Sequence, residues 1–220
     1  MKYKCLILDH DDTVVDSTAT VHYPAFVAFM EQLRGGTDIS LEDYFTFNLH
    51  PGVLPFFQKI VGLNEEEMQQ EETFWREYVS HHTPRAYPGM GELLWHWKEK
   101  GGRFCVISHS FSDYIRRDYA FNQLPEPDMV FGWEVDRAHR KPQPHCVWTI
   151  LKELGLEKEE VLVLDDLKPG YDMAMAAGVP FAAAGWAGDY PLVEAFMREH
   201  CRHYFKTVEA FGDFIMQGRP

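Results

Sequence analysis

Apolar positions along this chain follow two different rhythms. Short unbroken runs, KCLIL ending at Leu8, RFCVIS ending at Ser108, MVFGWEV from Met129 and VLVLDD from Val161, have the length and composition of strands buried on both faces. A fifth run, PFAAAGW, follows a helical pattern closed by Gly178. Between the strands lie helix-period segments such as GMGELLWHWKEKGG, in which Leu93, Leu94 and Trp97 share a face and Gly101 supplies the stop. Short apolar strands alternating with helices predict an α/β domain with a central parallel sheet covered on both sides.

Residues 17–86 break the alternation. They contain no strand signal, and their aromatic residues recur at helical spacing, as in Phe26 with Phe29 and Phe74 with Tyr78. Ser40 with Asp43, and Asn64 with Glu67, have the form of capping boxes that start helices. Pro51-Gly52 predicts a turn between two of these helices, and TPRAYPG, residues 83–89, predicts a linker back to the sheet. The expected organisation is therefore a small helical insert placed after the first strand.

Composition narrows the function. The 220 residues carry 21 Lys and Arg against 34 Asp and Glu, a formal charge of −13, which argues against nucleic acid or an anionic membrane as partner. The four cysteines, Cys5, Cys105, Cys146 and Cys201, are far apart and form no CxxC pair, so reduced thiols are expected rather than disulfides or zinc. Asp9 interrupts the first apolar run too early for a signal peptide, and no segment nears the roughly 20 apolar residues of a membrane span. A soluble, cytoplasmic protein is expected; oligomeric state is not readable.

Ligands of open parallel sheets collect at the carboxyl ends of the strands. The residues found there are Asp9 and Asp11, Ser108, and Asp165 with Asp166, while Lys141 lies after the third strand and before a helix. On extended chain Asp9 and Asp11 point to one side and His10 away. A divalent cation would relieve their repulsion, and an all-oxygen set favours Mg2+. A carboxylate such as Asp9 is ionised at neutral pH and can attack phosphorus without a base. Asp11 would need its pKa raised by its anionic neighbour to protonate a leaving group. Ser108 and Lys141 are the donors available to phosphoryl oxygens.

DHDDTVVDS, VISHS, RKPQP and VLVLDDLKPGYDMAMAAGVP resemble, in order, the four motifs of the haloacid dehalogenase-like hydrolases. The likeness is to the helical-capped members, of the phosphoglycolate phosphatase and β-phosphoglucomutase kind. It implies a Rossmann-like three-layer core over residues 1–16 and 87–220 and a helical cap over 17–86. The gap from Ser108 to Lys141 is too short for the alternative cap position. It implies Asp9 as nucleophile, Asp11 as acid and base, and Ser108 and Lys141 as catalytic and substrate-binding groups. Mg2+ would be held by Asp9, by Asp11 through its carbonyl, and by Asp166 with Asp165. The activity implied is a magnesium-dependent phosphatase acting on a small phosphorylated metabolite.

Three positions depart from the motifs: Asp12 stands where Gly is common, His109 where Asn is frequent, and Leu-Asp-Asp replaces Gly-Asp. Asp12 is read as a local turn or helix-start acceptor. His109 is a candidate to touch substrate. His22, Asn48 and His50 are candidates to face the site, each read as an ordinary cap residue, and Glu199–His203 as a solvated helix end. Alternatives within the superfamily are a phosphomutase, or a phosphonatase using Lys59, the lone lysine of the insert; outside it, a non-catalytic phospho-acceptor or regulatory protein.

Overall fold

The computed structural model describes residues 2–217. In chain order β1 (Cys5–Leu8) and β2 (Val15–Asp16) lead through a π-helical turn, Thr18–His22, into α1 (Tyr23–Arg34), α2 (Leu41–Leu49) and the short α3 (Val53–Pro55). A second π-helical stretch, Phe56–Val61, then α4 (Glu65–His81) and β3 (Arg85–Ala86), complete the insertion. The remainder alternates: α5 (Met90–Glu99), β4 (Arg103–Ile107), α6 (Ser112–Phe121), β5 (Met129–Phe131), α7 (His145–Leu154), β6 (Val161–Asp165), α8 (Lys168–Ala177), β7 (Phe181–Ala184), α9 (Pro191–His200), β8 (Tyr204–Phe205) and α10 (Val208–Gln217).

Six strands form one parallel sheet in the order β5-β4-β1-β6-β7-β8. β1 is central because all four of its side chains are apolar enough to be buried on both faces. Leu6 and Leu8 pack with Leu94, Trp97, Tyr119 and Phe211 on one side. Cys5 and Ile7 pack with Val147, Ile150, Met173 and Ala174 on the other. Each such fully buried aliphatic side chain contributes about 1.5–3 kcal/mol. The layers are thus those expected of a parallel α/β domain.

Two details of the main sheet differ from the sequence reading, and residues 83–89, read as a plain linker, contribute the short strand β3. The segment after Met129 stays in the sheet only to Phe131, because at Gly132 the backbone passes so close to Ser110 that a Cβ would lie 2.7 Å from its carbonyl oxygen. The sheet also has a sixth strand, Tyr204–Phe205, directly after the helix that ends at His200.

The insertion has its own core, in which Phe26, Tyr44, Phe56 and Phe57 make tilted and edge-on ring contacts. Both expected capping boxes are present, Ser40 with Asp43 at α2 and Asn64 with Glu67 at α4. The chain leaves and re-enters the sheet region side by side: β2 and β3 pair antiparallel, Val15 opposite Ala86 and Asp16 opposite Arg85. Arg117 of α6 donates to the carbonyl of Val79 at the end of α4, tying the insertion to the core. All four cysteines are free. Among the described residues no helix is long and apolar enough to cross a membrane.

Candidate active site

The strand ends converge as their spacing predicts. Asp9 follows β1, its amide donating to the Leu164 carbonyl of β6 at 2.9 Å, so it stands beside Asp165 and Asp166. Ser108 follows β4, its amide held by Phe131 of β5 at 3.0 Å. Between them the chain turns sharply. Asp12 adopts φ 57°, the left-handed region where Gly is favoured, and its Oδ1 accepts from the Thr18 amide at 3.1 Å, the helix-start role expected of it. His10 points away and meets Asp118 at 3.0 Å.

Lys141 reaches into this edge from the loop before α7. Its ammonium is buried and donates to Asp9 Oδ1 at 2.8 Å and to Asp165 Oδ2 at 3.0 Å. Burial disfavours its charge, but Asp165 and Asp9 outweigh that and raise its pKa. The other Asp165 oxygen accepts from the Leu167 amide at 2.9 Å, so both of its oxygens are engaged and it orients Lys141. α8 packs so tightly here that a Cβ at Gly170 would lie 2.0 Å from the Asp165 carboxyl carbon, which explains the glycine.

Asp9, Asp165 and Asp166 each bring an oxygen within 4.8 Å of the others, all three buried. Thr13 donates to Asp166 Oδ1 at 3.3 Å, which leaves Asp166 Oδ2 and Asp9 Oδ2 without protein donors among the described residues. One lysine does not offset this charge. Burial, then Asp165 and Asp11 acting against Lys141, push Asp9 up to about 7, above the ionised range expected from sequence. Burial and the neighbouring Asp12, Asp165 and Asp9 hold Asp166 well above the usual carboxylate range. A compact, oxygen-only, charge-deficient set fits a hard divalent cation such as Mg2+, and the absence of His and Cys from it disfavours zinc.

Asp11 differs from the sequence expectation. Its carboxylate accepts from Ser17 at 2.7 Å and His22 at 2.8 Å on Oδ1, and from Ser110 at 2.7 Å and Ser108 at 3.2 Å on Oδ2. Burial pushes its pKa up, but His22, with His10 and Ser110, overcomes that and holds it well below the usual range, where neighbouring acids were expected to raise it. The donors come from the insertion and from the loop after β4, far along the chain.

His22, read from sequence as an ordinary insert residue, is therefore part of the site. The Trp75 indole, which can only donate, gives its hydrogen to His22 Nδ1 at 3.1 Å, and the two rings stack. The carboxylates around His22 draw its pKa upward against burial, yet a proton on Nδ1 would meet the indole hydrogen head-on. With Nδ1 accepting from the indole, Nε2 is the nitrogen that donates to Asp11, and that hydrogen bond itself lowers the Asp11 pKa.

A cavity of about 200 Å³ opens over these groups, walled by the sheet edge below and by α2 and α4 above. His109 lines it, but its Nε2 meets the Lys141 carbonyl at 2.8 Å; burial and the Lys141 charge lower its pKa to about 3, keeping it neutral. Asn48 is buried and lines the cavity, while His50 is exposed and borders an adjoining cleft. Lys59 is exposed and outside the cavity lining, which removes the geometric basis for a lysine-dependent phosphonatase.

Comparison with known proteins agrees with this geometry. Residues 6–184 match the family model "Haloacid dehalogenase-like hydrolase". Hexitol phosphatase A of Escherichia coli is 25% identical over 99% of this chain and 100% of its own length. Among solved structures, a Bacteroides fragilis protein assigned to the haloacid dehalogenase-like hydrolases superposes with TM-score 0.81 at 22% identity, covering 96% of this chain and 100% of that one. A Lactobacillus delbrueckii subsp. bulgaricus protein named for phosphoglycolate phosphatase gives TM-score 0.78 at 21% identity, covering 98% and 99%. The matched span holds the first strand, the helical insertion and the acidic strand ends together, and the chain belongs to the haloacid dehalogenase-like hydrolases.

Proposed function

We propose that the protein is a magnesium-dependent phosphatase acting on a small phosphorylated metabolite through an aspartyl-phosphate. The observation that carries this is Lys141 fixing one oxygen of Asp9 at 2.8 Å, the other having no protein donor among the described residues, where Asp9 lines the cavity with Asp11 and Ser108. Asp9 and Asp166 have the oxygens to hold Mg2+; when bound, the ion supplies the positive charge that the acids and a phosphate dianion both need. The hexitol phosphatase relative supports a phosphorylated small molecule as substrate class. Residues 17–86 are the cap in this reading, and 1–16 with 87–220 the catalytic core.

Asp9 attacks phosphorus and the ester oxygen leaves as an alcohol, taking a proton from Asp11. Ser108 and Lys141 donate to the phosphoryl oxygens as charge builds on them. An approaching dianion raises the pKa of Asp11, which prepares it to carry that proton. Once the alcohol departs, Asp11 takes a proton from water, which attacks the aspartyl-phosphate and releases phosphate. The ionised state that His22 and the serines favour suits this second half. Cap contact over the cavity excludes bulk water.

The test is release of phosphate from a generic aryl phosphate. Turnover that requires Mg2+ and disappears in Asp9→Asn is expected; turnover unchanged by that substitution would falsify the assignment. A phosphomutase would instead pass the group back to a phosphorylated sugar, and a non-catalytic acceptor would label once without turnover.

A further inference from the structure

The cavity wall opposite Asp9 is built by the insertion. α4 presents Met68, Glu71, Glu72 and Trp75 on one face, and α2 adds Tyr44 and Asn48. Lys141 is the lone Lys or Arg of the whole lining, and its ammonium is already shared between Asp9 and Asp165. His22 is likewise occupied by Asp11 and Trp75. Glu71 has no such partner: it is half-buried and makes no hydrogen bond or ion pair among the described residues.

We propose that this wall selects a leaving alcohol bearing hydrogen-bond donors, hydroxyl or ammonium, and rejects one bearing a carboxylate or second phosphate, with Glu71 as the selecting residue. The inference rests on the phosphatase reading above. Covering this partly exposed carboxylate with a ligand is costly unless the ligand donates to it. Only a donor can complete a carboxylate. Burial, and then Glu72, raise the Glu71 pKa to about 7, with His22 acting the other way. The Tyr44 phenol lies close enough to feel the Glu71 charge, and the Asn48 amide sits on the same helix, so the wall offers further polar groups to a hydroxylated ligand. A carboxylate here would face two glutamates with no cation to meet it, a like-charge arrangement that disfavours binding.

Further positive charge borders the adjoining cleft of about 300 Å³, which shares Trp133 and His109 with this cavity: Arg137, Arg140 and Lys168. There Arg140 covers the Trp133 ring at 3.6 Å and Lys168 pairs with Asp172. An anionic leaving group would have to bind in that cleft instead of under α4.

Wild-type enzyme is assayed with Mg2+ on three short esters of similar size, glycerol phosphate, ethanolamine phosphate and carboxymethyl phosphate, beside an aryl phosphate. At least one donor-bearing ester should exceed carboxymethyl phosphate by about tenfold or more in kcat/KM, chiefly through KM. Glu71→Gln should narrow that gap; loss confined to the ammonium ester identifies a cationic group, and retention of the hydroxylated ester a neutral one. Carboxymethyl phosphate equal to or better than both overturns the proposal, as does a folded Glu71→Gln with an unchanged gap. The wild-type ranking needs no variant, so it decides the matter even if Glu71→Gln fails to fold. Turnover of the aryl ester without discrimination defeats this inference alone, whereas no turnover of any ester defeats the phosphatase reading and this inference with it.

Discussion

His22 Nε2 and Asp11 Oδ1 stand 2.8 Å apart, joining a helical-insertion residue to the first acidic motif. His22→Ala removes a donor from the proposed acid and base, and kcat for an aryl phosphate should fall by about tenfold to a hundredfold. Trp75→Phe keeps an aromatic ring against His22 but no longer fixes its tautomer, so its loss should be smaller. Steady-state kinetics on both variants check this. Wild-type kcat in His22→Ala would remove His22 from the site's chemistry.

Buried acids lacking counter-charge should make the folded state bind Mg2+ where the unfolded chain does not. Chelated protein should melt lower than protein with Mg2+, the ion adding about 2.7 kcal/mol at a hundred times its Kd. Asp166→Asn should lose most of that increment. A melting temperature indifferent to Mg2+ in the wild type would exclude the ion from this cluster.

Glu71 gives a pH signature with a definite sign. Its folded pKa, about 7, lies above the ordinary glutamate value because burial and Glu72 disfavour the charge. The folded state therefore holds the proton more tightly, and the resulting stability is present at acid pH and lost as pH rises through about 7. Glu71→Gln should raise stability relative to wild type at pH 8, on the order of 1 kcal/mol, and do so less at pH 5. Denaturant melts at the two values measure it; an equal effect at both would mean that Glu71 titrates normally.

Gly170→Ala should harm both stability and activity. The added Cβ would lie 2.0 Å from a short, buried carboxylate that has little freedom to retreat, so α8 or Asp165 must shift. Overpacking of this kind costs about 1–3 kcal/mol, and displacement of Asp165 also releases Lys141. Thermal melting together with aryl phosphate kinetics reads both effects. An unchanged melting temperature would show that the helix can yield.

The sheet edge was legible because each apolar run stops at the residue that matters: Asp9 after Leu8, Ser108 after Ile107, Asp165 after Leu164. Local capping chemistry made α2 and α4 legible in the same way. His22 was not, since its partners are Asp11, reached through a π-helical turn, and Trp75, a full helix away in the packed insertion. The low pKa of Asp11 was hidden for the same reason: sequence displays the acids adjacent to it, whereas Ser110 and His22 arrive by folding. β8 left no signal because two half-buried residues at a sheet edge have no period to detect.

The two-residue ribbon of Val15–Asp16 against Arg85–Ala86 has a consequence for how such proteins diversify. Because exit and return are stitched together, everything strung between them behaves as an exchangeable cassette whose two ends already meet. New selectivity can then arise by trading that cassette, provided the replacement returns donors to Asp11 where Ser17 and His22 now stand.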